Sequence, residues 1–377
     1  MDTSRRTENL RGVMREKNID LSIIVDFQNQ FYFSGLKAIT YTRPIILAID
    51  STKMSLIVPS LEENHAKTAT PADHLLVYHE TPLGDDQNMS YIDLFKRCIA
   101  PYPKGTRIGV EFSSLSVQLG NIMKTAGLEL VNLDDEMTKM RYIKEQQELD
   151  RMIESGRLVS LALKHSLENA HAGLTEMEVD QFGNEALFKD VARTHPDSTL
   201  DFFVMTPSGI ERSVLPHVFS NTRTFKENDI SIHSRQVGLN GYRAECERTF
   251  FIGKPTDRQA DLFKIALEAQ NKALDIIKPG IKAKHVDEAA RKVFQKYNVD
   301  AYSMHRTGHG IGIGNHEEPS LRFDNDLILQ EGMAYCVEPG LYVPGVGGFR
   351  HSDTVILKED GSHQITDYPR ELKYLCF

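Results

Sequence analysis

Over the first 140 positions, apolar residues come in short β-branched runs separated by amphipathic stretches. Residues 21–25, 45–49, 55–58 and 107–110 are each too short for a buried helix and are bounded by Pro, Gly, Asp or Asn, so they are predicted strands. Residues 89–99 and 117–126 carry helical spacing between them. Strands alternating with helices predict a small α/β domain.

The texture then changes. Residues 143–169 place Leu149, Met152, Ile153, Leu158 and Leu161 on one stripe of a long charged segment, which predicts a helix laid along a core. The domain boundary is expected near 138–146, giving domains 1–140 and 141–377. Further on, Thr256 and Gln259 have capping-box spacing and open a predicted helix that runs to 277 and stops at Pro279-Gly280. A second helix is expected over 286–297. Strand-like segments lie at 202–205, 229–233, 249–252, 334–338 and 354–356. Strands and helices in this order predict an α+β second domain.

Composition narrows the function classes. The formal net charge is −9, which argues against a general nucleic-acid binder. No apolar stretch approaches the ~20 residues of a membrane helix. The polar run from Met1 to Arg6 has no signal-peptide core. Cys98, Cys246, Cys336 and Cys376 are scattered without a CxxC pair, which disfavours a zinc ribbon or a disulfide framework. A cytoplasmic protein that binds neither membrane nor nucleic acid is expected.

Three segments concentrate chemistry. Residues 305–319 interleave His305, His309 and His316 with glycines that allow close backbone approach. His309 and His316 are an odd number apart, so an ideal strand would put them on opposite faces; a kink at the glycines could bring them together. Glu338 ends an apolar strand, a costly place for an unpaired carboxylate. Glu245 and Glu247 are two apart, so on a strand they share a face that could hold a divalent cation or a cationic substrate. His217, after Leu215-Pro216, is a lone histidine, a placing that is more often incidental than functional.

Taken in order, Leu215-Pro216-His217, Gly241-Tyr242, Arg248-Thr249-Phe250, Thr307-Gly308-His309-Gly310-Ile311-Gly312, His316-Glu317 with Pro319, Glu338-Pro339-Gly340 and Arg350 with Asp353 resemble the pita-bread superfamily of methionine aminopeptidases, Xaa-Pro peptidases and creatinase. Asn29 to Gly35 looks like the start of its smaller domain, and Arg141-Tyr142-Ile143-Lys144 with Glu148 like the entry into its second. The resemblance implies a creatinase-type α/β N-terminal domain, an α+β pita-bread C-terminal domain, and a homodimer.

It also implies a departure. The superfamily's five metal-ligand positions fall on Ser234, Glu245, His309, Glu338 and Ser352, so two carboxylates are replaced by hydroxyls and an intact two-metal clamp is not expected. What remains is similar to creatinase, which works without metal. On that resemblance His217 is the general base and acid, Glu247 and Glu338 hold a substrate guanidinium, and His309 and His316 are further proton-handling groups. Tyr41 and Arg43 bind the substrate's acidic end, and Arg243, standing where creatinase has a tyrosine, joins them as a substrate-binding residue. The expectation is a metal-independent hydrolase, with no cofactor, cleaving a C–N bond of a small zwitterionic metabolite. The alternatives are a metal-dependent Xaa-Pro peptidase with a reduced site, in which Glu245, His309 and Glu338 hold one ion, and a non-catalytic binding protein.

Overall fold

A computed structural model describes residues 3–81 and 89–377; Met1 and Asp2, at the head of the polar N-terminal run, lie outside the described residues. The chain divides into two compact units, Met1–Arg141 and Tyr142–Phe377.

The first unit contains α1 (Ser4–Lys17), β1 (Leu21–Ile24), α2 (Phe27–Ser34), β2 (Ile46–Asp50), β3 (Met54–Pro59), α3 (Glu63–Ala69), β4 (His74–Tyr78), α4 (Tyr91–Ile99), β5 (Arg107–Val110), α5 (Val117–Thr125), β6 (Glu129–Asn132) and α6 (Asp134–Met140). Its mixed sheet runs β4-β3-β2-β1-β5-β6, with every residue of central β1 buried. Polar caps mark where helices begin: the Asp26 side chain accepts from Gln28 N and Asn29 N to open α2, and Ser90 with Asp93 forms a capping box on α4. Ile23, Ile46, Ile57, Phe95 and Ile108 lie in this unit's own core.

The second unit contains α7 (Gln146–Glu168), α8 (Glu176–Thr194), β7 (Leu200–Met205), α9 (Gly209–Arg212), β8 (Ile230–Leu239), β9 (Tyr242–Phe251), α10 (Asp257–Ile276), α11 (Ala283–Lys296), β10 (Gly308–Gly310), β11 (Glu317–Leu321), β12 (Ala334–Val337), β13 (Gly340–Val343), β14 (Gly347–Arg350), β15 (Ser352–Lys358) and β16 (Gly361–Gln364). One antiparallel sheet runs β11-β10-β12-β15-β9-β8-β7, with β16 on β15; β13 and β14 form a separate hairpin. The Thr256–Gln259 capping box opens α10 as its spacing predicts. Leu158, Leu163, Phe250, Phe263 and Val355 belong to the core that strands and helices share. Among the described residues no helix is long and apolar enough to cross a membrane, and the four cysteines are free.

Candidate active site

The strand register assembles the site. Glu247 on β9 lies opposite Ser234 on β8 and Ser352 on β15, and Glu245 lies opposite Gln236. Thr354 pairs with Cys336 on β12, which pairs with His309 on β10. Side chains alternate along a strand, and directly opposed residues share a face. One face therefore carries Ser234, Gln236, Glu245, Glu247, Ser352, Cys336 and His309 in a band across five adjacent strands, with Glu338 just past the end of β12. The opposite face holds Arg248 and Asp353. This buried pair is 2.8 Å apart. Arg248 also donates to the Ser352, Tyr368 and Pro369 carbonyls, and Asp353 accepts from Gln270, Gln364 and Thr366. A buried ion pair is tolerable when its remaining polar atoms are satisfied in this way; this one ties β9 to β15 behind the site.

On the working face, His309 is fully buried and its Nδ1 lies 2.8 Å from the Gly310 carbonyl. That contact needs a proton on Nδ1, so in the neutral ring Nε2 keeps a lone pair. Nε2 has no hydrogen-bond partner among the described residues. It faces Glu338 Oε1 at 3.4 Å and Glu245 Oε2 at 3.9 Å. A nitrogen lone pair and two carboxylates converge stably only around a proton or a cation. Burial pushes the Glu338 carboxyl well above its ordinary range, and the Glu245 and Glu247 charges add to this. Burial also acts to raise Glu245, but His309, the Ser352 hydroxyl and the Gln236 amide hold it below the usual value. Donor atoms of Glu245, His309 and His316 lie within 4.8 Å of one another, as do those of Glu245, Glu247 and Glu338.

Arg350 closes the other side. Its guanidinium forks both oxygens of Glu247, with Nη2 2.8 Å from Oε1 and Nε 2.5 Å from Oε2. Its Nη1 donates to the Tyr342 hydroxyl at 2.8 Å, which in turn bonds His305 Nε2 at 2.8 Å. Burial holds the His305 pKa down to about 4, so the ring is neutral at pH 7. Partial burial, then the Arg350 charge, also lower His217.

A cavity of about 290 Å³ opens onto this face, lined by His217, His305, Arg306, His316, Arg322, Glu338 and Arg350. A smaller one of about 160 Å³ reaches Glu245, Glu247 and Ser234. The structure thus brings His217, Glu247, Glu338, His309 and His316 together. The His309 and His316 rings stack with centroids 3.8 Å apart, because the chain bends between them. Arg243 shares the face of Glu245 but is turned aside: it pairs with Asp201, donates to the Ile313 carbonyl and lines neither cavity. Tyr41 and Arg43 line a cavity of the first unit, where Arg43 pairs with Glu80 at 2.9 Å. The sequence reading gave His305 and Arg306 no role of their own and missed Tyr342 and Gln236 as contributors. It also did not see that Arg350 forks both oxygens of Glu247.

The Metallopeptidase family M24 model matches residues 150–359, and the Creatinase/Prolidase N-terminal domain model matches residues 6–143. An Xaa-Pro dipeptidase of Pyrococcus furiosus is 28% identical over 97% of this chain and 99% of its own. A putative dipeptidase of Bacillus subtilis is 30% identical over 97% and 99%. The crystal structure of an X-Pro aminopeptidase from Thermotoga maritima superposes with a TM-score of 0.83 at 27% identity, covering 98% of this chain and 99% of that one. The family match and these relatives overturn the expectation of a metal-independent guanidino hydrolase.

Proposed function

Because the chain belongs to metallopeptidase family M24, with a creatinase-type N-terminal domain and a pita-bread C-terminal domain, we infer that it hydrolyses Xaa-Pro-type peptides with one divalent ion held by Glu245, His309 and Glu338. The observation that carries this reading is the lone pair of buried His309 Nε2 aimed at two carboxylates with no donor between them. The residues fit one ion. Arg350 already takes up Glu247, which leaves Glu245 and Glu338 beside His309 Nε2 as the carboxylates that could ligate a cation. They do not fit two: Ser234 and Ser352 offer hydroxyls where a second ion would need carboxylates, and Arg350 takes up Glu247. When bound, such an ion would supply a Lewis acid and an acidified water.

The chain's own residues do the rest. Glu338 borders the cavity and can take a proton from attacking water and return it to the leaving nitrogen. His217 and His316 line the same space, each with a ring N–H to offer a carbonyl oxygen as it gains charge. Phe203 and Met205 give the inner cavity an apolar wall suited to a proline ring.

The test is turnover of Xaa-Pro dipeptides after chelator dialysis, with Mn²⁺, Co²⁺ or Zn²⁺ restored. Activity should return with metal, and Glu338→Gln should lower kcat/KM by about 10²–10⁴-fold. Turnover that survives exhaustive chelation, or none with any of these metals, would sink the reading.

A further inference from the structure

His217 lies between α9 and β8, on a segment without regular structure. The reading above asks it to hold a ring N–H at a fixed point, so something must fix the segment. One carboxylate does so. Glu176, the first residue of α8, is fully buried. Its Oε1 accepts from the Ser208 amide at 2.7 Å, the Ser208 hydroxyl at 2.7 Å and Arg212 Nε at 3.0 Å. Its Oε2 accepts from Arg212 Nη2 at 2.9 Å and the Asn221 amide at 2.9 Å. Arg212 Nη2 reaches on to the Phe219 carbonyl at 2.8 Å. Ser208 and Arg212 precede His217, and Phe219 and Asn221 follow it, so the carboxylate gathers both flanks. Phe219 also stacks edge-on against Phe203, a wall of the inner cavity, with centroids 5.7 Å apart. Glu176 is not needed to start its own helix, because Thr175 and Glu178 already cap α8. A buried carboxylate is held in place by such a set of donors, and the helix N-terminus favours its charge.

We propose that Glu176 is a positioning residue for His217: by tying the chain on both sides of it, the carboxylate sets where the imidazole stands over the cavity. The proposal rests on the peptide-hydrolase reading of the site. The turn between the two ties can open, and the ties decide where it settles when it closes. An oriented donor acts chiefly on the charge that develops in the transition state, so loss of the anchor falls on kcat rather than KM. Glutamine at position 176 keeps one acceptor oxygen but turns an NH₂ towards donors. One flank is then released, and a displacement of about 1 Å is enough to cost about 10²-fold in rate.

The experiment is a double-mutant cycle on the metal-loaded protein with Ala-Pro as substrate, using Glu176→Gln, His217→Ala and the two combined. Glu176→Gln should lower kcat by about 10²-fold with KM nearly unchanged. On the His217→Ala background the same substitution should change kcat by less than about 2-fold, because the group it positions is gone. Losses that multiply in the double variant, a Glu176→Gln effect confined to KM, or no loss in either single variant would overturn the proposal while leaving the hydrolase reading standing. Where Glu176→Gln gives no cooperative thermal transition, Arg212→Lys takes its place in the cycle with the same outcomes; it keeps a cation beside Glu176 but cannot span both carboxylate oxygens and the Phe219 carbonyl. If the wild type cleaves no peptide, the hydrolase reading fails first, and NMR of ¹⁵N-histidine-labelled protein judges Glu176 separately. One sharp set of His217 ring signals in the wild type that broadens or splits in Glu176→Gln supports the proposal; signals alike in the two proteins overturn it.

Discussion

Glu247 shows how far a single residue's chemistry can be read before its partner is known. Its spacing from Glu245 correctly places both carboxylates on one face, since strand alternation is local. Its partner Arg350 lies 103 residues away and arrives on a different hairpin, so no local pattern reveals that the carboxylate is filled. The same limit hid Tyr342, whose role depends on what surrounds it. His309, His316 and Glu338 were legible because polar residues beside glycines or at the end of an apolar strand are costly without a purpose. Two predictions belong at this scale. Elemental analysis of manganese-loaded protein should find one ion per chain, and Ser234→Asp combined with Ser352→Glu should raise that number; two ions in the wild type would contradict the hydroxyl argument. His351 supplies the second. It is fully buried, stands edge-on to Phe263 with centroids 4.6 Å apart, and has no hydrogen-bond partner for either nitrogen among the described residues. Burial, then the Arg248 charge, hold its pKa well below 6.5. Below that value the unfolded ring takes a proton that the folded ring refuses, so stability is lost as pH falls. From about pH 7 to about 5, the wild type should lose stability relative to His351→Phe, by up to ~1.4 kcal/mol per pH unit. A difference in unfolding free energy that stays flat across this range would refute the assignment.

At the scale of elements, the sequence reading passed over α1, α2, α3, α6, α8 and β4, and it marked only part of the strands that are polar on both sides. β8 and β9 are almost wholly buried. Yet the apolar pattern marked only 229–233 and 249–252, because one face of β9 carries Glu245 and Glu247 and the other Arg248. Buried strands usually announce themselves by β-branched runs; here the site and its support replace those runs with charge. The helices that were read, α4, α5, α7, α10 and α11, bury one stripe each, and several open on a capping residue. The hairpin of β13 and β14 depends on close packing instead. A Cβ on Gly348 would stand 1.9 Å from the Ser213 carbonyl oxygen. Gly348→Ala should therefore push the hairpin off its seat, cost about 1–3 kcal/mol, and lower activity by moving Arg350 from Glu247. Chemical denaturation and kinetics on the same variant would check this; an unchanged midpoint would show that the hairpin can yield.

For the whole molecule, each unit has its own buried cluster, one around Ile23 and Phe95, the other around Phe250 and Phe263. Residues 142–377 expressed alone should give a cooperative thermal transition, and a melt without one would show that the two units depend on each other for folding. Within that second unit, the five strands that carry the working face are interior strands of the sheet. The Glu245 amide is tied to Thr354 Oγ1 at 2.8 Å, and the Glu338 amide to the Thr307 carbonyl at 2.7 Å. Those amides can meet solvent deuterium only when the sheet itself comes apart, so their exchange should track global unfolding. His217 and His316 lie on connecting segments outside the strands, where opening is cheap and exchange should be fast. The floor of the site would then be the slowest-breathing part of the protein and its roof among the quickest. A substrate entering it waits on the movement of loops, never on the sheet.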